Sequence, residues 1–358
     1  MTPRARKRKV AVLFGGRSVE HEVSVISAQG VMSAIDDTRF KAVPIGVTRQ
    51  GTWLTPAQTE QALVRIRQER IRSLDEPLGE GLLYRTAALG ALRRVDVVFP
   101  LIHGTNGEDG TLQGLLEMAG VPYVGAGVAA SALGMDKALQ KTFFRHRGFP
   151  VVADVEIKAS DWARSRDSVL RAAEGTIGYP AFVKPANGGS SVGTSRARSR
   201  EDLEAAVAEA FRYDRKVLVE EAIDGREVEV AVLGNDEPEA SPVGEITYEA
   251  EFYDYRAKYD DPATGLHIPA DIPEALSERL RETAVAAYKT IDCAGLARVD
   301  FFLTPDDRFF LNEVNTIPGF TPMSMYPKLW EHAGLSYSDL ITRLIELGLE
   351  RYQEKPRG

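Results

Sequence analysis

Apolar positions follow two rhythms along the chain, and together they predict alternating strands and helices. The runs KVAVLF (9–14), FKAVPIGV (40–47), VDVVFPLI (95–102), YPAFVKP (179–185), KVLVEE (216–221) and EVEVAVL (227–233) predict short strands buried under helices. A 3.6-residue rhythm predicts helices over 23–34, 112–118, 136–147, 201–211, 273–291 and 338–352. In the first of these, Val23, Ile26, Ser27, Gly30, Val31 and Ala34 share one face. ARVDFFL–TPDD–RFFLNEVN reads as a hairpin, with proline preset for its turn. The polar stretch 56–90 reads as an excursion from the core. With no repeat and no low-complexity linker, the α/β pattern divides into three units, 1–125, 126–222 and 223–358.

Composition narrows the class. The 358 residues are 44% hydrophobic and 27% charged, a balance that predicts a folded globular chain. A net charge of −8 argues against a nucleic-acid partner, because phosphate backbones demand a basic face. Arg4, Arg6, Lys7, Arg8 and Lys9 crowd together at the start and read as a solvated tail. The apolar run after them breaks at Gly15 and Gly16, too early for a signal peptide. No stretch reaches the ~18 apolar residues of a membrane span, so no membrane insertion is expected. Cys293 is the only cysteine and forms no internal disulfide, which suits a reducing cytoplasm.

The chemistry concentrates in two places. The common phosphate loop GxxxxGK[ST] is absent. Gly125–Ala130 fits a dinucleotide fingerprint but lacks the full βαβ frame, so a turn before a helix is the better reading. By contrast, the loop Ala186–Gly193 follows the strand ending in Lys184 and offers glycines at 188, 189 and 193 with Ser190 and Ser191. Such a loop can cradle phosphate through its amides and hydroxyls, with Lys184 as countercharge. In the hairpin, a two-residue tip at 305–306 sets Arg298 opposite Glu313 and Asp300 opposite Leu311. Arg298, Asp300, Glu313 and Asn315 then share one face, with Asp300 and Glu313 diagonal at ~7 Å between Cβ atoms. That oxygen-only pair suits Mg²⁺ or Mn²⁺. The alternative is a solvated acidic face opposite a core of Val299, Phe301, Phe310 and Val314.

Five ordered motifs carry a resemblance: GGRSVEHEVS (15–24), HGTNGEDGT (103–111), MDK (135–137), KPANGGSSVG (184–193) and NEVNTIPGFTPMS (312–324). They resemble the D-alanine–D-alanine ligase family of the ATP-grasp superfamily and extend over nearly the whole chain. The resemblance implies an α/β chain with a Rossmann-like N-terminal parallel-sheet domain, then two α+β subdomains that clamp ATP. It implies ATP, with two Mg²⁺ or Mn²⁺ ions, as cofactors, and D-alanine as the small-molecule substrate. Lys137, Lys184, Ser190 and Ser191 match the phosphate contacts. Glu220, Glu221, Ala222 and Ile223 match the adenine edge, Glu227 the ribose contact, and Asn312 belongs to the same nucleotide set. Glu221 departs from the pattern, since some members carry lysine there; a backbone contact to adenine survives that change. Asp300, Glu313 and Asn315 match the metal ligands.

On the substrate side, Glu20 matches the carboxylate that receives the first D-alanine's ammonium. His103 and Glu108 line the same place, and Ser324 with the Met325 amide matches the contacts to the second substrate's carboxylate. The aromatic loop 252–259 resembles the family's lid, with Lys258 aimed at phosphate and Tyr259 directed to Glu20 and Ser190. Relatives that make D-alanyl-D-lactate lack this pattern, so it implies an amine acceptor. The expected reaction forms a carbon–nitrogen bond through an acyl phosphate, with Arg298 and the Gly319 amide on the tetrahedral oxyanion. A homodimer is implied as well. The competing readings are a ligase using D-serine or D-lactate, another ATP-grasp ligase such as a carboxylase, and a non-catalytic nucleotide-binding regulator.

Overall fold

The computed structural model describes residues 6–69, 73–74, 90–247 and 265–355. The first apolar run becomes β1 (Arg8–Gly15), flanked in parallel by β2 (Phe40–Val47) and β3 (Val97–Pro100). Val10 through Phe14 are wholly buried, as a strand covered on both faces must be. Side-chain alternation splits them between two cores: Val10, Val12 and Phe14 face one, Ala11 and Leu13 the other.

Helix α1 (His21–Ala34) covers this sheet through Val25, Ala28 and Val31. Ile26, expected on the inner face, is 40% exposed. The expected polar excursion is also corrected. Its first part folds as α2 (Pro56–Glu69), and Ala62, Leu63 and Ile66 enter the core beside β1. Three apolar residues at helical spacing were enough to anchor an otherwise polar helix. Arg8 and Lys9, expected in the tail, open β1; the Lys9 amide donates to Asp96 at 2.6 Å.

Helices α3 (Thr111–Ala119), α4 (Val128–Met135) and α5 (Lys137–His146) follow. Gly127 precedes α4 in extended conformation, so the 125–130 fingerprint is a turn before a helix. Asp136 caps α5 by accepting from the Leu139 amide at 3.1 Å.

A four-stranded antiparallel sheet comes next, in the order β4 (Asp154–Lys158), β7 (Lys216–Glu221), β5 (Ala181–Pro185), β6 (Ser195–Ala197). Helices α6 (Ala159–Thr176) and α7 (Arg200–Ala210) back it and close a core around Leu170, Leu203 and Val207.

The third sheet is antiparallel, ordered β10 (Gly265–His267), β9 (Glu239–Thr247), β8 (Arg226–Gly234), β11 (Gly295–Leu303), β12 (Phe309–Asn315). Helix α8 (Glu274–Thr290) covers one face. The helices α9 (Met325–His332) and α10 (Tyr337–Glu354) share their core with the first sheet, through Leu329, Leu340 and Leu344 packed with Val10 and Phe99. Among the described residues no helix is long and apolar enough to cross a membrane.

The β11–β12 register departs from the expected one. The loop holds three residues, because Asp307 takes a left-handed φ of 58° and the Thr304 amide donates to the Arg308 carbonyl at 2.8 Å. A bulge then leaves Asn312 as an extra residue, between Phe301↔Leu311 and Asp300↔Glu313. Arg298 therefore faces Asn315, and Asp300 faces Glu313 directly. The core side shifts with it: Phe309 and Leu311 are buried where Phe310 was expected.

Candidate active site

Two adjoining cavities, about 300 Å³ and about 630 Å³, open where the three sheets meet. Each expected site residue among the described ones lines one or both. Glu20, His103, Glu108, Asn315 and Gly319 line the smaller, with Ser324 and Met325. Lys184, Ser191, Glu227, Asp300 and Asn312 line the larger, as does the strand end Glu220–Ile223. Lys137, Ser190, Arg298 and Glu313 belong to both, so the cavities form one continuous site. Lys258 and Tyr259 lie outside the described residues.

Glu20 sits at the N-terminus of α1, 8% exposed, at the end of the glycine turn after β1. The Ser190 hydroxyl donates to its carboxylate across 170 residues of sequence. Ser190 and Ser191 hold positive φ values of 49° and 57°, which cost L-residues about 1–2 kcal/mol each. A Cβ at Gly189 beside them would stand 2.5 Å from the Glu20 carboxylate and would force that side chain to shift.

His103 follows the end of β3 and is 2% exposed. Its Nδ1 lies 3.0 Å from the Ile317 carbonyl and 3.4 Å from a Glu108 carboxylate oxygen, so Nδ1 carries the proton. Burial opposes its charge, but Glu108, Glu20 and the Ile317 carbonyl outweigh burial and raise its pKa above the ordinary value. Glu108 itself is pushed up by burial.

On β11, Arg298 grips Asp300 with two hydrogen bonds of 2.7 Å, and its Nε lies 3.0 Å from Glu229. Burial works against the guanidinium charge; Asp300 and Glu229 outweigh it and hold the charge firmly. Lys137 Nζ lies 3.1 Å from Glu313 and donates to the Gly188 carbonyl at 2.7 Å, tying the hairpin to the glycine loop.

Glu229 and Lys141 were not anticipated. Glu229 is 3% exposed and pairs with Asp300 in the β8–β11 register. Alternation with Glu227 in EVEV was the signal that could have found it. Lys141 lies one helical turn from Lys137, fully buried.

The residues present fit a hard divalent cation. Asp300 and Glu313, directly paired across antiparallel strands, have Cβ atoms about 4.5–5.5 Å apart. The neighbouring Asn312 Oδ1 is buried without a hydrogen-bond partner, and Asn315 Oδ1 stands at the end of the same face, accepting the Ile317 amide at 3.3 Å. Among the described residues no group of three or more His, Cys, Asp and Glu side chains could hold a metal. The donor set is thus two carboxylates with amide oxygens, the kind Mg²⁺ completes with water and phosphate.

Comparison with known proteins matches both halves of the chain to one family. Residues 9–126 match the family model described as the D-ala D-ala ligase N-terminus, and 143–346 match the C-terminus model. A D-alanine–D-alanine ligase of Geobacillus thermodenitrificans is 49% identical over 354 residues, covering 98% of this chain and 97% of the relative. One from Deinococcus radiodurans is 50% identical over 348 residues, covering 96% and 99%. Among solved structures, the D-alanine–D-alanine ligase of Coxiella burnetii superposes with a TM-score of 0.80 at 37% identity, covering 98% of this chain and 96% of that one. A D-Ala:D-Ser ligase from Enterococcus faecalis gives 0.79 at 38%, covering 96% and 100%. With both family models matched in order, relatives near half identity over the full length, and the ATP-grasp architecture in place, the chain belongs to the D-alanine–D-alanine ligase family of ATP-dependent ligases.

Proposed function

We propose that this enzyme joins two D-alanines to D-alanyl-D-alanine at the expense of ATP, through an acyl phosphate, to supply peptidoglycan precursor. The observation that carries this reading is the continuity of the two cavities: Ser190 reaches Glu20, while its neighbours Gly188 and Gly189 line the larger cavity with Lys184. A carboxylate held beside Glu20 and a phosphate held by the glycine loop therefore meet at one place.

The larger cavity takes ATP. The strand end Glu220–Ile223 lies along adenine, Glu227 reaches the ribose, and Lys137, Lys184, Ser190 and Ser191 hold phosphate, with Asn312 on the same wall. Asp300, Glu313 and Asn315 would hold Mg²⁺ or Mn²⁺, two ions per site, which supplies positive charge to the phosphate oxygens when bound.

The smaller cavity takes the amino acids. Glu20, with His103 and Glu108 behind it, receives the first D-alanine's ammonium. Ser324, whose Oγ accepts the Thr321 amide at 3.1 Å, and the Met325 amide receive the second substrate's carboxylate. A carboxylate oxygen of the first D-alanine attacks the γ-phosphorus and ADP leaves. The second amine then attacks the acyl carbon, and the tetrahedral oxyanion falls between Arg298 and the Gly319 amide. Phosphate departs as the dipeptide forms. Arg298 suits the role because Asp300 and Glu229 fix its plane before substrate arrives, so little reorganisation is needed at reaction. Lys258 and Tyr259 belong to this reading as lid residues that exclude water from the acyl phosphate.

On the same reading, residues 1–125 bind the first D-alanine, 126–222 and 223–358 form the ATP clamp, and the enzyme works in the cytoplasm as a homodimer. D-Serine is the competing acceptor, because a structural neighbour is a D-Ala:D-Ser ligase. Phosphate release should be measured with D-alanine, D-serine and D-lactate offered in competition, and the products weighed by mass spectrometry. D-Alanyl-D-alanine is expected to dominate. A mixed dipeptide or depsipeptide as main product would replace this reading with the neighbouring one.

A further inference from the structure

On the floor of the larger cavity, one carboxylate stands between two lysines of different accessibility. Glu220, at the end of β7 and 3% exposed, has one oxygen 2.8 Å from Lys184 Nζ and the other 3.2 Å from Lys141 Nζ. Lys184 reaches the cavity, with 13% of its side chain exposed; Lys141 is sealed on α5 at 0%. Neither Lys141 Nζ nor the Glu220 oxygen facing it makes an aligned hydrogen bond, so the two interact chiefly as charges. The remaining charged groups close by are Lys137, which pairs with Glu313, and Asp154, paired with Glu220 across the β4–β7 ladder and held by Arg145.

Resting on the nucleotide reading above, we infer that Lys141 is a positioning residue for nucleotide binding, one that keeps Glu220 ionised and in place when phosphate draws Lys184 away. A lone Lys184–Glu220 pair would have to break to release Lys184, leaving a buried carboxylate without a cation, which is costly. With Lys141 present, two ammonium groups face one carboxylate; burial lowers the Lys141 pKa and Glu220, 3.2 Å away, works against that shift. Lys184 can then turn to phosphate while Glu220 keeps a countercharge that no solvent or ligand displaces. Glu220 is held below the usual carboxylate range: burial alone would raise it, and the two lysines more than reverse that. Without Lys141, nucleotide binding must either forgo the Lys184 contact or protonate Glu220.

The test is a double-mutant cycle of Lys141→Met and Glu220→Gln, read by calorimetry with ADP and Mg²⁺ in two buffers of different ionisation enthalpy. Lys141→Met alone should weaken ADP binding by about tenfold or more and add a proton uptake on binding that the wild type lacks. In the Glu220→Gln background the same change should cost less than about threefold and take up no proton, because no charge remains to be balanced. This second leg decides the matter even if Lys141→Met alone folds poorly. An equal loss in both backgrounds, or unchanged affinity and proton balance in Lys141→Met, overturns the assignment. If the wild type fails to bind ADP, the nucleotide reading of the cavity falls, and the assignment with it.

Discussion

Arg298→Ala should reduce kcat for dipeptide formation by about 10²–10³-fold while leaving ADP affinity within about threefold, the pattern of a lost oxyanion donor. The size follows from the environment. Arg298 is largely shielded, with 14% of its side chain exposed, fixed by two 2.7 Å bonds to Asp300 and close to Glu229, so its charge acts at reduced dielectric on whatever reaches the junction of the cavities. Alanine also deprives Asp300 of both those bonds, so part of any loss could come from a rearranged carboxylate. Arg298→Lys separates the two effects. Lysine keeps a charge near Asp300 but lacks the fork, and should restore stability more fully than turnover. A kcat within a few-fold of wild type for the alanine variant would contradict the role.

The second large effect is expected at the hairpin. Glu313→Gln keeps the shape and removes one charge facing Asp300. The Mg²⁺ concentration for half-maximal activity should rise by at least about 10–100-fold, the loss already typical when only a ligand's outer-shell support is disturbed. The partner 3.1 Å from Lys137 also loses its charge in the same variant. A Lys137→Met control distinguishes the causes, since it should weaken ATP binding without moving the Mg²⁺ midpoint comparably. An unshifted Mg²⁺ titration for Glu313→Gln would show that the acidic face is no metal site.

Much of the scaffold was legible because burial leaves plain marks. β2 and β7 coincide with the apolar runs that predicted them, and β1 exceeds its run by one residue at each end. The helix predicted over 136–147 is α5 to within one residue at each end, with Asp136 as its cap. Legibility failed where a residue's effect depends on something distant in the chain. Nothing local in TPDD tells a two-residue tip from a three-residue loop with Asp307 left-handed, and nothing marks Asn312 as the bulge. The two shifts together turned a diagonal Asp300–Glu313 pair into a direct one. The face was right because alternation survives either register by an even step; the core assignment of Phe310 was not. Ile26 and α2 show the same limit, since periodicity gives a helix a face without saying how wide the covering core will be.

The site was legible in a different way. Spacing alone brought Asp300, Glu313, Asn315 and Arg298 together on one ribbon. It could not bring Glu20 to Ser190, or His103 to Ile317, because those contacts close over 170 and 214 residues of intervening chain. Motif resemblance brought Glu20 and Ser190 together; the His103–Ile317 contact was visible only in the structure. Lys141 and Glu229 touch other protein side chains at the floor of the site, and a motif centred on substrate contacts passes over them.

The most direct measurement follows one oxygen atom. D-Alanine labelled with ¹⁸O in its carboxylate is incubated with enzyme, ATP and Mg²⁺, and the inorganic phosphate is examined by mass spectrometry. If a carboxylate oxygen attacks the γ-phosphorus and stays with phosphorus when the amine displaces it, each phosphate released with dipeptide carries one ¹⁸O. Unlabelled phosphate formed in step with dipeptide would contradict the acyl phosphate and the use of the two joined cavities built on it.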